Sequence, residues 1–491
     1  MKKIFFLIFV SITVLSLNAQ DGITLHFMRL NPYAAYTNPS MHLQYNGYVG
    51  FPGISNINAS FTNTSARYKT LFGADVNGAI TTIRLNDFAN QLSNKKNMLN
   101  SNISLNIIDF GFRTKPIFFS FSYRIRIDEY ASYNKDLFNL PIHGNMMYVG
   151  ENNPARPDLK VNLNVYQEFA LGMQVDLNSW LYLGVRPKLL FGLANVKTRY
   201  ANATLYTNPE DYTMKMNYNL NASMACVIPY SISRDAEGNV NILFEPKDFL
   251  NNWQNAFKNI GAAIDLGMTF RINNMFGIAA SVLDLGFIHW TTSCHQFTGS
   301  ISETNPHYYD GQIVFNGITS EDLADLANNP EQISNKIQEI FPIEITETKA
   351  YNKSLSSRFL VEGYCNLGKH HRLSALFQGR IANKQFIPSF TVAWNGNFLN
   401  YFDLCVSYTM AKRSYANLGI GVGFNRKVFH LYVATDNIFS FINNKSIQRA
   451  ILNAHNANVQ MGIVFDWGKT QEKTIKRKVR RNFEETALLS R

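Results

Sequence analysis

Residues 259–272 of the chain read N-I-G-A-A-I-D-L-G-M-T-F-R-I, and the prediction of the fold rests on this pattern. Its side chains alternate with the period of two that is typical of a β-strand. The apolar phase holds Ile260, Ala262, Ile264, Leu266, Met268 and Phe270. The other phase holds Gly261, Ala263, Asp265, Gly267, Thr269 and Arg271. The apolar phase would face the core of a soluble sandwich but the lipid around a membrane barrel, so the fold depends on which face meets water.

Similar alternating runs recur along the chain, for example from Ile117 to Ile125 and from Val459 to Trp467. Each is about 9–11 residues long, the length that a tilted strand needs to cross a bilayer, whereas strands of soluble domains average about 5–6. Aromatic residues make up 13% of the chain and charged residues only 16%, against about 25% charged in a typical soluble protein. The pattern therefore predicts that the apolar phase faces lipid.

The runs predict an all-β fold, a transmembrane antiparallel barrel of about 14 strands, an even number as in single-chain bacterial barrels. The strands are expected near residues 45–61, 104–113, 117–127, 165–177, 180–193, 259–271, 275–283, 355–367, 371–381, 386–394, 401–410, 416–424, 428–436 and 457–467. Tight periplasmic turns are predicted at 178–179, 273–274, 368–370, 395–397 and 425–427.

The longer connections are predicted to be extracellular, because such barrels have short periplasmic turns and long external loops. They cover residues 63–102, 128–164, 194–258, 286–353 and 437–456. Within them, residues 200–224 are predicted to form a hairpin that extends beyond the membrane. Residues 320–341 are predicted to be helical, with Ser320 as the N-cap and a break near Pro330.

The N-terminus predicts export. Lys2 and Lys3 precede an apolar stretch that ends in the small-residue cleavage site Leu17-Asn18-Ala19, so residues 1–19 are predicted to be a cleaved signal peptide. The domain boundaries that follow are a plug or hatch segment at 20–44, the barrel at 45–467 and a basic periplasmic tail at 468–491. The expected location is the bacterial outer membrane.

The net charge of +11 is concentrated at the chain ends. The two lysines near the N-terminus contribute +2 and the tail contributes +5, which leaves only +4 in the body. A nucleic-acid partner is therefore not expected, since the body is nearly neutral and an exported protein rarely meets nucleic acid. The tail is either a solvated end or a contact for lipid headgroups, peptidoglycan or a periplasmic partner.

Charged residues on the polar phase of the strands are predicted to face the lumen. The candidates are Asp109, Arg113, Arg124, Arg126, Arg186, Lys188, Asp265, Arg271, Arg358 and Glu362. A lumen of mixed sign is either a water-filled path or a core closed by salt bridges. The plug candidate, residues 20–44, does not alternate and contains the motif Asn38-Pro39.

Large aromatic residues gather at the predicted turn edges. Trp180 follows one turn, Trp394 precedes another, Tyr401 follows that same turn, and Trp467 ends the last strand. These four residues are predicted to form an aromatic girdle at one membrane interface.

No motif for catalysis or cofactor binding is present, so neither an enzyme nor a cofactor is predicted. The four cysteines are far apart and lack CxxC spacing. His289, Cys294 and His295 fit no zinc template, so no metal site is predicted. A hydrolase with catalytic side chains at the barrel rim stays open as an alternative, because spacing alone cannot expose such a site.

Three short motifs carry a family resemblance. They are Asn38-Pro39-Ser40, the segment DLGFIHW at 284–290, and ATDNIF at 434–439 before a closing strand that ends FDWG at 465–468. The chain resembles an uncharacterised outer-membrane β-barrel family of Bacteroidota, a domain of unknown function. That family is similar in build to FadL-type hydrophobic-compound channels and to PorV-like barrels of the type IX secretion system. The resemblance implies about 14 strands and an N-terminal segment inside the barrel.

Two functions are expected from these features. The first is passive transport of small hydrophobic or amphipathic molecules through a plugged lumen or a lateral opening, with outer-membrane lipid and an apolar ligand as partners. The second is a scaffold that does not transport, but binds envelope or secretion-machinery proteins through its loops and basic tail.

Overall fold

The computed structural model describes residues 22–63, 72–74, 80–83, 85–94, 96–210, 214–234, 240–244, 253–301, 307–309, 343–348, 350–382, 385–398, 401–411, 414–426, 428–439 and 456–469. The predicted signal peptide, the predicted helix at 320–341 and nearly all of the basic tail lie outside these residues. No helix in the described ranges is long and apolar enough to span a membrane.

Fourteen strands form one closed antiparallel barrel in which each strand pairs with its neighbours in the sequence. Their bounds, numbered β1 to β14, are Tyr45–Gly50 with Ile57–Asn63, Asn97–Thr114, Ile117–Tyr133, Leu159–Asp176, Leu181–Thr207, Asn259–Arg271, Phe276–Trp290, Ser357–Leu367, His371–Ala382, Gln385–Phe398, Phe402–Ala411, Ser414–Arg426, Phe429–Thr435 and Asn456–Lys469. The barrel closes where β14 pairs with β1, from Tyr45 opposite Lys469 to Gly50 opposite Val464. The all-β barrel fold predicted from the alternation is confirmed.

Strand β6 shows which face meets the exterior. Ile260 is 54% exposed and Met268 is 49% exposed, whereas Asp265 is 1% exposed and Arg271 is 4% exposed. The polar phase thus lies inside and the apolar phase outside, the reverse of a soluble sandwich. The same inversion holds around the barrel, where outward leucine, isoleucine, phenylalanine and valine side chains form an exposed apolar belt.

Six short connections lie at the end of the barrel where the chain enters β1 and leaves β14. They join β2 to β3, β4 to β5, β6 to β7, β8 to β9, β10 to β11 and β12 to β13. We call this end the short-turn end. At the opposite, long-loop end most connections are long, although β9/β10 and β11/β12 close as tight hairpins.

Two details differ from the sequence prediction. The turn placed at 395–397 is wrong, because β10 continues through Phe398 and Asn395 pairs with Cys405 of β11. Asn395 is an inward residue whose Nδ2 donates to Asp403 at 2.6 Å, so its amide serves the lumen rather than a turn. Strand β1 is also interrupted at residues 51–56, where only two residues of β14 stand opposite.

Several strands extend past the barrel at the long-loop end. The upper part of β5 pairs with Met214–Cys226, which confirms the hairpin predicted at 200–224. That strand pairs in turn with Cys294–Ile301, and Cys294–Ile301 with Glu344–Glu347. Tyr351–Ser354 pairs with the upper part of β7, while Phe72–Ala74 pairs with Ile80–Ile83 and Tyr230–Arg234 with Val240–Phe244.

The described helices are short. They are Ile23–His26, Leu85–Gln91 and Asp136–His143, with 3-10 turns at Pro32–Tyr36, Met146–Tyr148 and Trp253–Phe257. The first helix and the first 3-10 turn belong to the segment before β1, and they position the site described below.

Candidate functional site

Residues 22–44, called here the N-terminal segment, lie inside the barrel. Their side chains and backbone form hydrogen bonds with residues on all sides of the wall. These are Asp109, Asp176, Thr269, Ser281, Glu362 and Ser407 on the strands, and Asp436 just after β13. A segment that reaches opposite sides of a closed barrel must occupy its lumen. Most of its apolar side chains are buried there.

The first residues of the N-terminal segment are held by a carboxylate of the barrel wall. The backbone amides of Ile23 and Thr24 donate to Asp436 at 3.2 and 2.8 Å, just after β13. These are the first amides of a short helix and have no partner within it, so Asp436 satisfies them from the barrel wall. The Thr24 hydroxyl also bonds to Ser407 of β11 at 2.8 Å.

The Asn38-Pro39-Ser40 motif fits against two facing glycines. Asn38 Oδ1 accepts from the backbone amide of Ser40 at 3.0 Å and from its hydroxyl at 2.7 Å, which fixes a tight turn. Gly184 of β5 and Gly267 of β6 are opposite each other. A Cβ on Gly184 would lie 2.1 Å from the Pro39 carbonyl carbon, and one on Gly267 would lie 2.4 Å from Asn38 Oδ1. Both glycines are therefore required for this close approach.

The aromatic part of the segment contacts charged residues of the wall. Tyr33 donates its hydroxyl to Asp109. The ring of Tyr36 lies between two guanidinium groups, 4.7 Å from Arg124 and 4.1 Å from Arg186. Cation–π contacts of this kind are strongest where water is excluded, so these rings fix the middle of the segment.

Beside the segment lies a cluster of buried ion pairs. Glu168 contacts Arg124 at 2.7 Å and Arg126 at 3.1 Å. Asp284 contacts Arg126 at 2.8 Å and Lys188 at 2.6 Å. The backbone of Asp284 has a φ of +58°, which is rare for a residue other than glycine. This positive φ lies at the shift in the β6/β7 register. The Asp284 carboxylate lies among the cations at the same position.

The whole cluster is close to electrically balanced. Its five cations are Arg124, Arg126, Arg186, Lys188 and Arg358. Its four carboxylates are Asp128, Glu168, Asp265 and Asp284. Charges buried in this way are stable only when they are paired, and removal of one partner is costly. The cluster thus cross-links strands β3 to β8 through the lumen.

The remaining lumen candidates from the sequence also lie on the inward phase. Arg113 contacts Asp176 at 3.2 Å, and Glu362 contacts His26 of the N-terminal segment at 3.2 Å. Arg271 donates to the hydroxyl of Tyr182 at 3.0 Å. The structure thus brings Arg124, Arg126, Arg186, Lys188, Asp265 and Arg358 into one cluster. It places Asp109, Arg113, Arg271 and Glu362 apart from that cluster.

Several residues of this site were not among the candidates predicted from the sequence. Glu168 is at the centre of the ion pairs, and Asp436 anchors the segment. His430 is fully buried below the segment, with Nδ1 3.6 Å from Asp466. The polar phase of β4 and β13 could have identified Glu168 and His430. Asp436 precedes a long connection, so only its place in the ATDNIF motif marked it.

Two small cavities lie beside the N-terminal segment among the described residues. A cavity of about 40 Å³ lies between it and Asn58, Asn102 and Arg126, and another of about 30 Å³ lies near Thr269 and Glu362. Each has room for a few water molecules at most. A drug-sized molecule requires roughly 300 Å³ or more, so a ligand enters these parts of the lumen only if the segment moves.

The predicted girdle and metal candidates are placed as follows. Trp180, Tyr401 and Trp467 are exposed at the short-turn end, and Trp394 is half-buried against His371. His289 bonds to Asn352 and His295 to Tyr230. Within the described part of the chain, no group of three histidine, cysteine, aspartate or glutamate side chains could hold a metal ion.

Several solved structures are similar to this chain in overall build. The Pseudomonas putida toluene transporter TodX matches with 7% identity, a TM-score of 0.38, and coverage of 93% of this chain and 99% of that one. The Ralstonia pickettii toluene transporter TbuX matches with 8% identity, a TM-score of 0.40, and coverage of 90% and 94%. A Pseudomonas aeruginosa FadL homologue matches with 9% identity, a TM-score of 0.30, and coverage of 89% and 94%.

Scores this low carry no functional argument, and the barrel fold rests on the strand pairing described above. No curated protein matches this chain. The sequence profile of one family, described as a family of unknown function (DUF5723), matches residues 39–436. This range covers most of the chain, from the Asn38-Pro39 motif to Asp436, and the protein therefore belongs to the DUF5723 family.

Proposed function

We propose that this protein is an outer-membrane barrel that lets small amphipathic or hydrophobic molecules pass when its N-terminal segment moves. The observation that carries the proposal is the pairing of an apolar exterior with a polar lumen occupied by a separable segment.

The exterior supports a membrane location. A closed barrel leaves no unpaired strand edge, which is the condition for spanning a bilayer with strands. Its outward face is a belt of exposed apolar side chains, and a belt of that extent would be unstable in water. The exposed rings of Trp180, Tyr401 and Trp467 at one rim are placed as an interfacial girdle would be.

The interior supports a gate rather than an open pore. The N-terminal segment is held by hydrogen bonds, cation–π contacts and ion contacts, and not by strand pairing with the wall. Because the strands pair with one another all the way around, the barrel ladder does not depend on the segment. The segment can therefore leave the lumen without opening the barrel, which is the property that a plug requires.

The lining favours an amphipathic ligand over a pure hydrocarbon. A series of side-chain hydrogen bonds runs along the inner face of the wall. Asn458 donates to Asn58 at 3.1 Å, Asn58 donates to Asn102 at 3.3 Å, and Asn102 donates to Asp128. Among the described residues, the Asn458 Oδ1 atom at the start of this series is buried without a hydrogen-bond partner. A polar atom of a ligand can pair with it, whereas an apolar ligand would leave it unpaired at a cost. An apolar portion could instead leave laterally at the break in β1, where Phe51 and Ile54 are exposed.

Conductance and uptake test the proposal. The refolded protein is compared with a variant that lacks residues 22–44, both in planar bilayers and in liposomes. We expect current steps only from the truncated variant, and faster flux of a fluorescent fatty-acid-like probe than of a neutral sugar of similar size. Folding of both forms is checked by the heat-dependent gel mobility of the barrel. Silence from a correctly folded truncated barrel would contradict transport.

The closed lumen favours a second candidate, a scaffold that does not transport. Its ion-pair cluster and N-terminal segment would then only stiffen the barrel that carries the external sheet at the long-loop end. In that case truncation lowers stability without conductance. Binding of an envelope protein would then depend on the loops or on residues 468–491, which a pull-down with the tail deleted can test.

A further inference from the structure

A groove runs along the outside of the barrel across strands β7 to β12. Its volume is about 760 Å³, and its lining is almost entirely apolar. It lies in the half of the belt next to the short-turn end. The groove is separate from the lumen, because residues such as Ile278 and Val392 that line it belong to the exposed outward phase.

Two small residues create the depression. Gly363 of β8 faces Ala375 of β9, and on their far sides are Ile278 of β7 and Val392 of β10. A Cβ on Gly363 would meet nothing within 4 Å, and its backbone is not in the left-handed region. Neither packing nor conformation therefore requires glycine here. Glycine within a strand costs about 0.5–1 kcal/mol relative to alanine, so the empty space is the feature that needs an explanation.

The groove has the length of one leaflet. Val392, which lines the groove, precedes Phe398, the last residue of β10, by six positions. At about 3.3 Å per residue this is roughly 20 Å along the strand, or about 15 Å along the bilayer normal for a strand tilted by about 40°. One leaflet of hydrocarbon is about 15 Å thick, half of a core of about 30 Å. The groove thus runs from near the middle of the bilayer to the interface at the short-turn end.

The interfacial end carries groups that suit a lipid headgroup. The β8/β9 turn presents Lys369 and His370, both exposed. Next to it Trp394 stacks on His371, with ring centres 5.7 Å apart. Aromatic rings and cationic side chains at this depth favour lipid headgroups, and a lysine near the surface attracts anionic lipids.

We infer that this groove is a binding site for an anionic phospholipid. One acyl chain lies over Gly363 and Ala375, and the phosphate lies at the Lys369–His370 turn. The inference rests on the membrane location proposed above but not on transport, so it can fail or hold independently of the gate. The occupant is identified by an apolar channel of leaflet length that ends in a cationic turn.

Photo-crosslinking in liposomes tests the site. The full-length protein is reconstituted with phosphatidylglycerol that carries a diazirine near the end of one acyl chain, and crosslinked peptides are located by mass spectrometry. Variants Gly363→Leu and Ala375→Leu fill the groove, and Lys369→Gln removes the cation. Val433→Leu is the matched control, since Val433 is an outward residue of the belt four positions from the short-turn end of its strand, as Gly363 is, but lies on β13, outside the groove.

We expect crosslinks concentrated on β8 and β9, a several-fold loss in both filling variants and no loss in the control. Lys369→Gln should abolish the preference for phosphatidylglycerol over phosphatidylcholine while chain contacts remain. Crosslinks spread evenly around the belt, or unchanged in the filled variants, would overturn the site. So would a wild-type dimer in liposomes that Gly363→Leu dissociates, because a second copy would then occupy the groove.

Discussion

Gly184→Ala should release the N-terminal segment by adding a single methyl group. The new Cβ would lie 2.1 Å from the Pro39 carbonyl carbon and 2.4 Å from the Ser40 nitrogen. An ordinary contact begins at 3.4 Å, so the Asn38-Pro39-Ser40 turn must retreat by about 1.3 Å, the difference between the two distances. The atoms in the way are backbone, which cannot rotate aside as a side chain could.

The cost of this retreat has two parts. Overpacking of a tight contact costs about 1–3 kcal/mol. The bonds from Asn38 and Ser40 to Thr269, at 3.2 and 2.8 Å, are weakened at the same time, and each is worth roughly 1 kcal/mol. A total of about 3 kcal/mol would raise the undocked population by about 10²-fold, since each 1.4 kcal/mol is a factor of ten.

Limited proteolysis measures this population. Trypsin can cleave after Arg29 only when the segment leaves the lumen, and the rate follows the open population when reclosing is faster than cleavage. The control is Gly363→Ala, the same change on a strand but with open space around the new Cβ. We expect about 10²-fold faster cleavage in Gly184→Ala, together with bursts of current. Equal rates in the two variants would refute the docking geometry.

Three further predictions concern charged residues. Asp284→Ala leaves cations in the lumen without their carboxylate, and should lower the free energy of unfolding by about 3–5 kcal/mol, measured by denaturant titration in vesicles. Asp436→Asn weakens the anchor of the Thr24 amide, and should raise tryptic cleavage by about fivefold, since a charge-assisted bond exceeds a neutral one by about 1 kcal/mol; an unchanged rate would exclude Asp436 as the anchor. Burial first, and then the nearby Lys197, lower the pKa of Lys353 from 10.5 to about 8. The unfolded chain then binds more protons between pH 8 and 10.5, so stability should rise with pH in that window, and Lys353→Met should abolish the rise.

The alternation of apolar and polar residues predicted all fourteen strands, because successive side chains of each strand face lipid and lumen in turn. Strand ends were less well determined. β5 continues to Thr207 and β7 to Trp290, because beyond the membrane these strands pair with other parts of the external sheet and the outward face no longer needs to be apolar. The asparagines at 395–397 resembled a turn, but Asn395 is an inward amide bonded to Asp403.

The inward phase was readable from the sequence, but the partners across the lumen were not. Asp284 and Arg126 are 158 positions apart, and the helix start at Thr24 meets Asp436 from the other end of the chain. Such distances arise only when the barrel closes and sets the shear between its strands. Gly363 likewise has no signature in the sequence, since the space beside it exists only between neighbouring strands.

The all-β fold, the number and order of the strands, and the polar phase of each strand could be predicted from the amino-acid sequence. These properties are local, because each depends on alternation within one strand and on the length needed to cross a bilayer. Only the folded barrel shows which contacts hold the N-terminal segment in the lumen, which charges pair, and where glycines let the backbone approach. Those properties depend on contacts between residues that come together only after the barrel has closed.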